Sequence, residues 1–197
     1  MKAYKYIIFI SSVMSIFAYP YLSDIIAIHW RLNGKADEFV NKQAVFMLPI
    51  LLLFIHSIFL FAEQYIYKMQ GDGKRMIRNM ESIILLFLLY IHSILILIGI
   101  GVSLHFQSWL TVGIGLFLFL LSKCFKRIGA EEAEPKMLRK IRLYSKYTFR
   151  VMAIAVIICL PLQNEVSFYA LITIMSCGAV IFMSCVLYEY ILESYKT

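Results

Sequence analysis

The chain has 197 residues, of which 61% are hydrophobic and only 16% charged, with a formal net charge of +7. A soluble domain carries roughly 45–50% apolar and about 25% charged residues, so there is too little polar side chain here to clothe a water-soluble globule. Mean hydropathy of +0.79 points the same way, and disordered, collagen-like and disulfide-scaffold classes are excluded.

A helix needs about 20 mainly apolar residues to cross the hydrocarbon core. The sequence predicts six such stretches, in an all-α, polytopic helix bundle. The first runs over residues 4–22. Its basic start and Ala18 resemble a signal peptide, but Ile16 stands where cleavage wants a small residue, so an uncleaved helix is expected; cleavage would leave five spans. The second covers 44–67. The third and fourth divide the apolar run 82–122 at the polar interruption Ser103, His105, Gln107 and Ser108. The fifth covers 147–162, with Arg150 snorkelling near its start, and the sixth covers 166–190 after a turn at Gln163, Asn164 and Glu165. The chain divides accordingly into 1–67 with a cap loop at 23–43, then 68–122, a basic inner loop at 123–146, and 147–197.

Sixteen of the 19 basic residues fall on one side of this topology, leaving Arg31, Lys35 and Lys42 on the other. The positive-inside bias then predicts that both termini are cytoplasmic. The basic excess reports orientation, and direct nucleic-acid binding is not expected. Cys124, Cys159, Cys177 and Cys185 show neither a Cys-x-x-Cys nor a zinc spacing, and are expected to pack as small hydrophobes.

The cap loop is compact and nearly neutral. Asn33-Gly34 is a strong turn signal because both residues tolerate positive φ. Ile26 and Ile28 alternate with Ala27 and His29, as in a short extended arm, and Trp30 belongs at headgroup depth. The segment resembles the N-terminal membrane domain of SdpI-like proteins. The positions that carry the likeness are Leu22, Asp24, Ile25, His29, Trp30, Gly34, Asp37, Lys42 and Pro49. The second signature of that family, expected after the fourth span, is absent where the chain reads Lys126-Arg127-Ile128-Gly129-Ala130-Glu131.

The resemblance implies a bacterial plasma-membrane protein giving immunity to a secreted antimicrobial peptide, or a signalling protein that sequesters a cytoplasmic repressor. Asp24, His29, Trp30, Asn33, Gly34 and Asp37 are the candidate ligand-binding set. The alternative is a structural cap in which His29 and Asp37 bond backbone across the turn.

His56 and His92 each occupy an Ile-His-Ser-Ile string inside a span, and Glu63 follows His56 by two turns. A line through His92, His56 and Glu63 would suit a proton-coupled transporter. The other reading is interhelical hydrogen bonding by neutral side chains.

In the inner loop, Glu131, Glu132, Glu134 and Pro135 mark a helix start. Lys136, Arg139, Lys140, Arg142 and Lys146 then flank the apolar face of an amphipathic helix, expected either on the anionic inner leaflet or as a dock for a cytoplasmic regulator. Enzyme fingerprints are missing from the sequence, so no catalytic residue, cofactor or metal is expected.

Overall fold

The computed structural model describes residues 3–31, 33–65, 72–125, 136–162 and 164–194. The glutamate-rich helix start at 131–135, the loop string 126–131, Gln163, Lys2, Lys68 and Lys196 lie outside these residues, as does the Lys136 side chain.

Among the described residues six α-helices pack in one bundle: α1 (Ala3–Ala18), α2 (Met47–Tyr65), α3 (Asp72–Gly99), α4 (Phe106–Cys124), α5 (Lys136–Cys159) and α6 (Asn164–Ser194). Among the described residues four stretches are long and apolar enough to cross a membrane: Lys42–Gln64, Arg75–Gly99, Phe106–Cys124 and Glu165–Leu192. They mark a membrane protein. At 16 residues α1 rises only about 24 Å, and α5 carries charges through its first turns, so neither joins that set on length and composition. Large apolar side chains cover the outside of the bundle, among them Phe17, Phe54, Val180 and Met183, each more than 60% exposed.

The fold departs from a purely helical one in the cap. Strands β1 (Ile25–Trp30) and β2 (Ala36–Asn41) form an antiparallel hairpin. Ile25 pairs with Asn41 and Trp30 with Ala36, with irregularities on either side of His29. The alternating Ile26 and Ile28 supply the extended arm, and the Asn33-Gly34 turn closes it. Gly34 takes φ +81°, the Asn33 carboxamide oxygen accepts the Lys35 N–H at 3.1 Å, and Gly34 N–H donates to the Arg31 carbonyl at 2.9 Å. Short 3₁₀ turns at Tyr19–Tyr21 and Lys42–Phe46 join the hairpin to α1 and α2.

The hairpin sits on the end of α3. That helix stops at a left-handed Gly101 (φ +95°), with Gly101 N–H bonded to the Ile98 carbonyl and Val102 N–H to the Leu97 carbonyl. This is a Schellman ending, and it leaves the Gly99 carbonyl free to accept the Ser23 N–H at 3.1 Å. Gly99 itself must be glycine-sized, because a Cβ there would stand 2.6 Å from a Leu22 methyl. Leu22, Ile26, Val45 and Ile96 form the buried cluster beneath the cap. A second cluster, Leu118, Met152, Ala153, Val156 and Leu171, holds α4, α5 and α6 together.

The expected surface helix ahead of the fifth span is not separate. Residues 136–159 are one helix, because its apolar face stays in phase and α6 supplies an acidic partner. Glu189, 3% exposed, accepts from Lys140 Nζ at 2.9 Å and from the Tyr144 hydroxyl at 2.9 Å. Lys140 is therefore paired with α6 although, like Arg139, it is exposed, while Arg142 and Lys146 are half-buried. The Glu189 carboxylate raises the Lys140 ammonium above its ordinary range. All four cysteines are free thiols, with Cys124 buried and Cys177 exposed.

Candidate functional site

The hairpin tip and the start of α6 face each other across an open cleft of about 590 Å³. His29, Trp30, Arg31 and Asn33 line one wall, and Glu165, Phe168 and Tyr169 line the other. Three features hold the hairpin wall in place. The Trp30 ring stacks on Phe106 of α4 with centroids 4.0 Å apart and planes 16° from parallel. Gln107, one residue further, donates from Nε2 to the Arg31 carbonyl at 2.6 Å. Asp37 then clamps two cleft side chains at once: His29 Nδ1 lies 2.6 Å from Oδ1, and Arg31 Nε donates to Oδ2 at 3.0 Å.

The hydrogen bond from His29, followed by that from Arg31, holds the Asp37 carboxyl below its ordinary value of 3.8 against an opposing desolvation effect. The side chains of His29 and Arg31 remain 58% and 69% exposed while bound to Asp37, so both stay open to the cleft.

The candidate set from the sequence thus divides. His29, Trp30 and Asn33 reach the cleft. Asp37 and Gly34 work behind it, as clamp and turn. Asp24 lies at the other end of the hairpin, where its carboxylate accepts Lys42 Nζ at 2.9 Å. His29 and Asp37 bond each other's side chains, not backbone across the turn. Arg31, Glu165, Phe168 and Tyr169 were not in the set. Three of these come from more than 130 residues away, and the only local signal was an acidic first turn followed by two aromatics.

A second cavity, of about 530 Å³, lies under the hairpin and is floored by His92. His92 is 1% exposed, with Nδ1 2.7 Å from Ser11 Oγ and Nε2 3.2 Å from Ser15 Oγ. Of the expected line through His92, His56 and Glu63, His92 is bonded to Ser11 and Ser15 of α1 and not to His56. His56 Nδ1 instead meets Glu81 Oε1 at 2.5 Å, with its ring stacked on Tyr4 at 4.0 Å. Glu63 accepts from Arg78 Nε at 2.6 Å. The helical phase of α2 and α3 sends each histidine to a different neighbour. Among the described residues no three His, Cys, Asp or Glu side chains stand together as a metal site.

Residues 6–53 match a family described as a domain of unknown function, DUF1648. No curated protein and no solved structure matches the chain. The matched segment spans α1 from its second turn, the whole hairpin and the first turns of α2, and it contains every residue on which the resemblance to SdpI-like proteins rests.

Proposed function

We propose that this is a bacterial multi-pass plasma-membrane protein, with both termini cytoplasmic, that protects its cell from a secreted antimicrobial peptide by binding it at the hairpin-tip cleft. The observation that carries the reading is the cleft itself, open to solvent and walled by Trp30, Phe168 and Tyr169 with Arg31 and Glu165 beside them. Rings and both signs of charge on a braced wall suit a peptide that is part apolar and part charged, since aromatic and arginine side chains dominate such interfaces. The clamp by Asp37 pre-organises two of the contacts, which lowers the ordering cost of binding.

The likeness of residues 22–49 to SdpI-like proteins supports the same reading. The test is expression in a peptide-sensitive bacterium followed by challenge with secreted killing peptides. Protection is the expected outcome, and unchanged killing across the panel would count against the proposal.

A further inference from the structure

We propose that the cavity under the hairpin is a binding site for one phospholipid acyl chain, entering sideways from the bilayer beside α2. Ile26 and Ile28 roof it, Ala44 and Leu48 form one side, and His92 and Leu95 form the floor. Leu48 belongs to the stretch Lys42–Gln64, and His92 and Leu95 to Arg75–Gly99, both apolar enough to cross a membrane. The cavity therefore lies within the apolar band, where the surrounding medium is hydrocarbon. Met47 lines the opening and is 68% exposed, and the exposed face continues along α2 through Ile50 and Phe54. The opening is thus continuous with the lipid-facing surface.

Two further observations select an acyl chain. First, His92 strands no polar atom toward the cavity, because serine hydroxyls engage both its nitrogens. Most of the lining is apolar, and its polar side chains apart from His92, namely Asn41 and Gln43, are exposed, so a water cluster deeper in the cavity would have few partners. The cavity is open on the side of Met47, so the hydrocarbon of the bilayer can fill it. Second, the polar groups of the lining are at the mouth. Asn41 and Gln43 are exposed there, on either side of Lys42, where the apolar stretch begins. Their carboxamides stand where the ester and phosphate oxygens of a phospholipid lie. This site is separate from the hairpin-tip cleft, and the inference does not depend on the peptide reading.

The test is native mass spectrometry of the full-length chain, purified in mild detergent from vesicles of phosphatidylethanolamine and phosphatidylglycerol. One phospholipid per chain should survive washing that strips the rest. Ala44→Phe and, separately, Leu48→Phe place a ring in the cavity, and occupancy should fall about tenfold or more, the worth of two or three lost methylene burials. Val180→Phe, on the exposed face of α6, should retain the lipid and shows that an added ring alone does not strip it. Helix content by circular dichroism identifies any variant that fails to fold, and the two cavity variants serve as alternates for each other. Wild-type chain without a retained lipid, equal occupancy in a folded cavity variant, or a second copy of the chain held in place of lipid would each overturn the proposal.

Discussion

Gln107 Nε2 donates to the Arg31 carbonyl across 2.6 Å, which ties the first turn of α4 to the tip of the hairpin. The two residues are 76 positions apart, and Gly34 lies close by: a Cβ there would stand 3.2 Å from the Gln107 side-chain oxygen. Replacing Gln107 with Ala should loosen the tip without unfolding the bundle. A loss of about 1 kcal/mol is expected for one such bond. Hydrogen exchange at the Lys35 and Gly34 amides is the measurement; unchanged protection would show that Trp30 stacking alone holds the tip.

Asp37 gives the hairpin a pH dependence of definite sign. Its carboxyl titrates below the ordinary value of 3.8 when folded, because His29 and Arg31 favour the charged form. The stabilisation is therefore present above that ordinary value and is lost as pH falls through the folded one. Wild-type protein should show acid loosening of the hairpin, read by Trp30 fluorescence in a Trp109→Phe background. Asp37→Asn should be loosened already at neutral pH and flat across that acid range.

The two histidines should behave as independent sites. His92→Leu removes contacts to Ser11 and Ser15, and His56→Leu removes the contact to Glu81. Each is expected to cost about 1–2 kcal/mol, the scale of interhelical hydrogen bonds in membranes. Sharing no partner, the double variant should be additive within about 0.5 kcal/mol. A large coupling energy in thermal or denaturant unfolding would revive a direct connection between them.

Glycine contacts give a graded pair. A Cβ at Gly113 would press into the Tyr90 ring, whose hydroxyl is fixed by the Trp109 carbonyl at 2.7 Å. A Cβ at Gly178 would meet Met152, an unbranched side chain that can rearrange. Gly113→Ala should therefore destabilise by about 1–3 kcal/mol and Gly178→Ala by less. Melting midpoints of the two variants, compared in one detergent, decide it.

Much of this fold was legible because the bilayer imposes a simple rule on apolar length. The helix order, the break between the third and fourth helices, and the Asn33-Gly34 turn all follow from local pattern. The polar interior was harder. Ser11 and Ser15 look like ordinary small residues on an apolar helix, although their spacing of four puts them on one face, ready for a shared partner. Glu81 falls just before the apolar run that opens at Ser82, so it reads as an end residue and not as the partner of His56. Glu189 carried a usable signal, since a carboxylate within the last apolar stretch needs a cation, and Lys140 lies on the preceding helix. The repeated Ile-His-Ser-Ile string does not give its two histidines a common partner: His92 meets Ser11 and Ser15, and His56 meets Glu81. Glu165, Phe168 and Tyr169 entered the cleft through tertiary packing that no local spacing encodes.

The central claim is that the cleft between the hairpin tip and α6 receives a peptide. The most direct measurement is survival of a sensitive bacterium expressing equal membrane levels of wild type, Arg31→Ala, Tyr169→Ala and a distant surface variant, Tyr188→Ala, under challenge with a peptide to which the wild type confers protection. Protection should be lost in the two cleft variants and kept in Tyr188→Ala. Full protection by both cleft variants at wild-type expression would contradict the account.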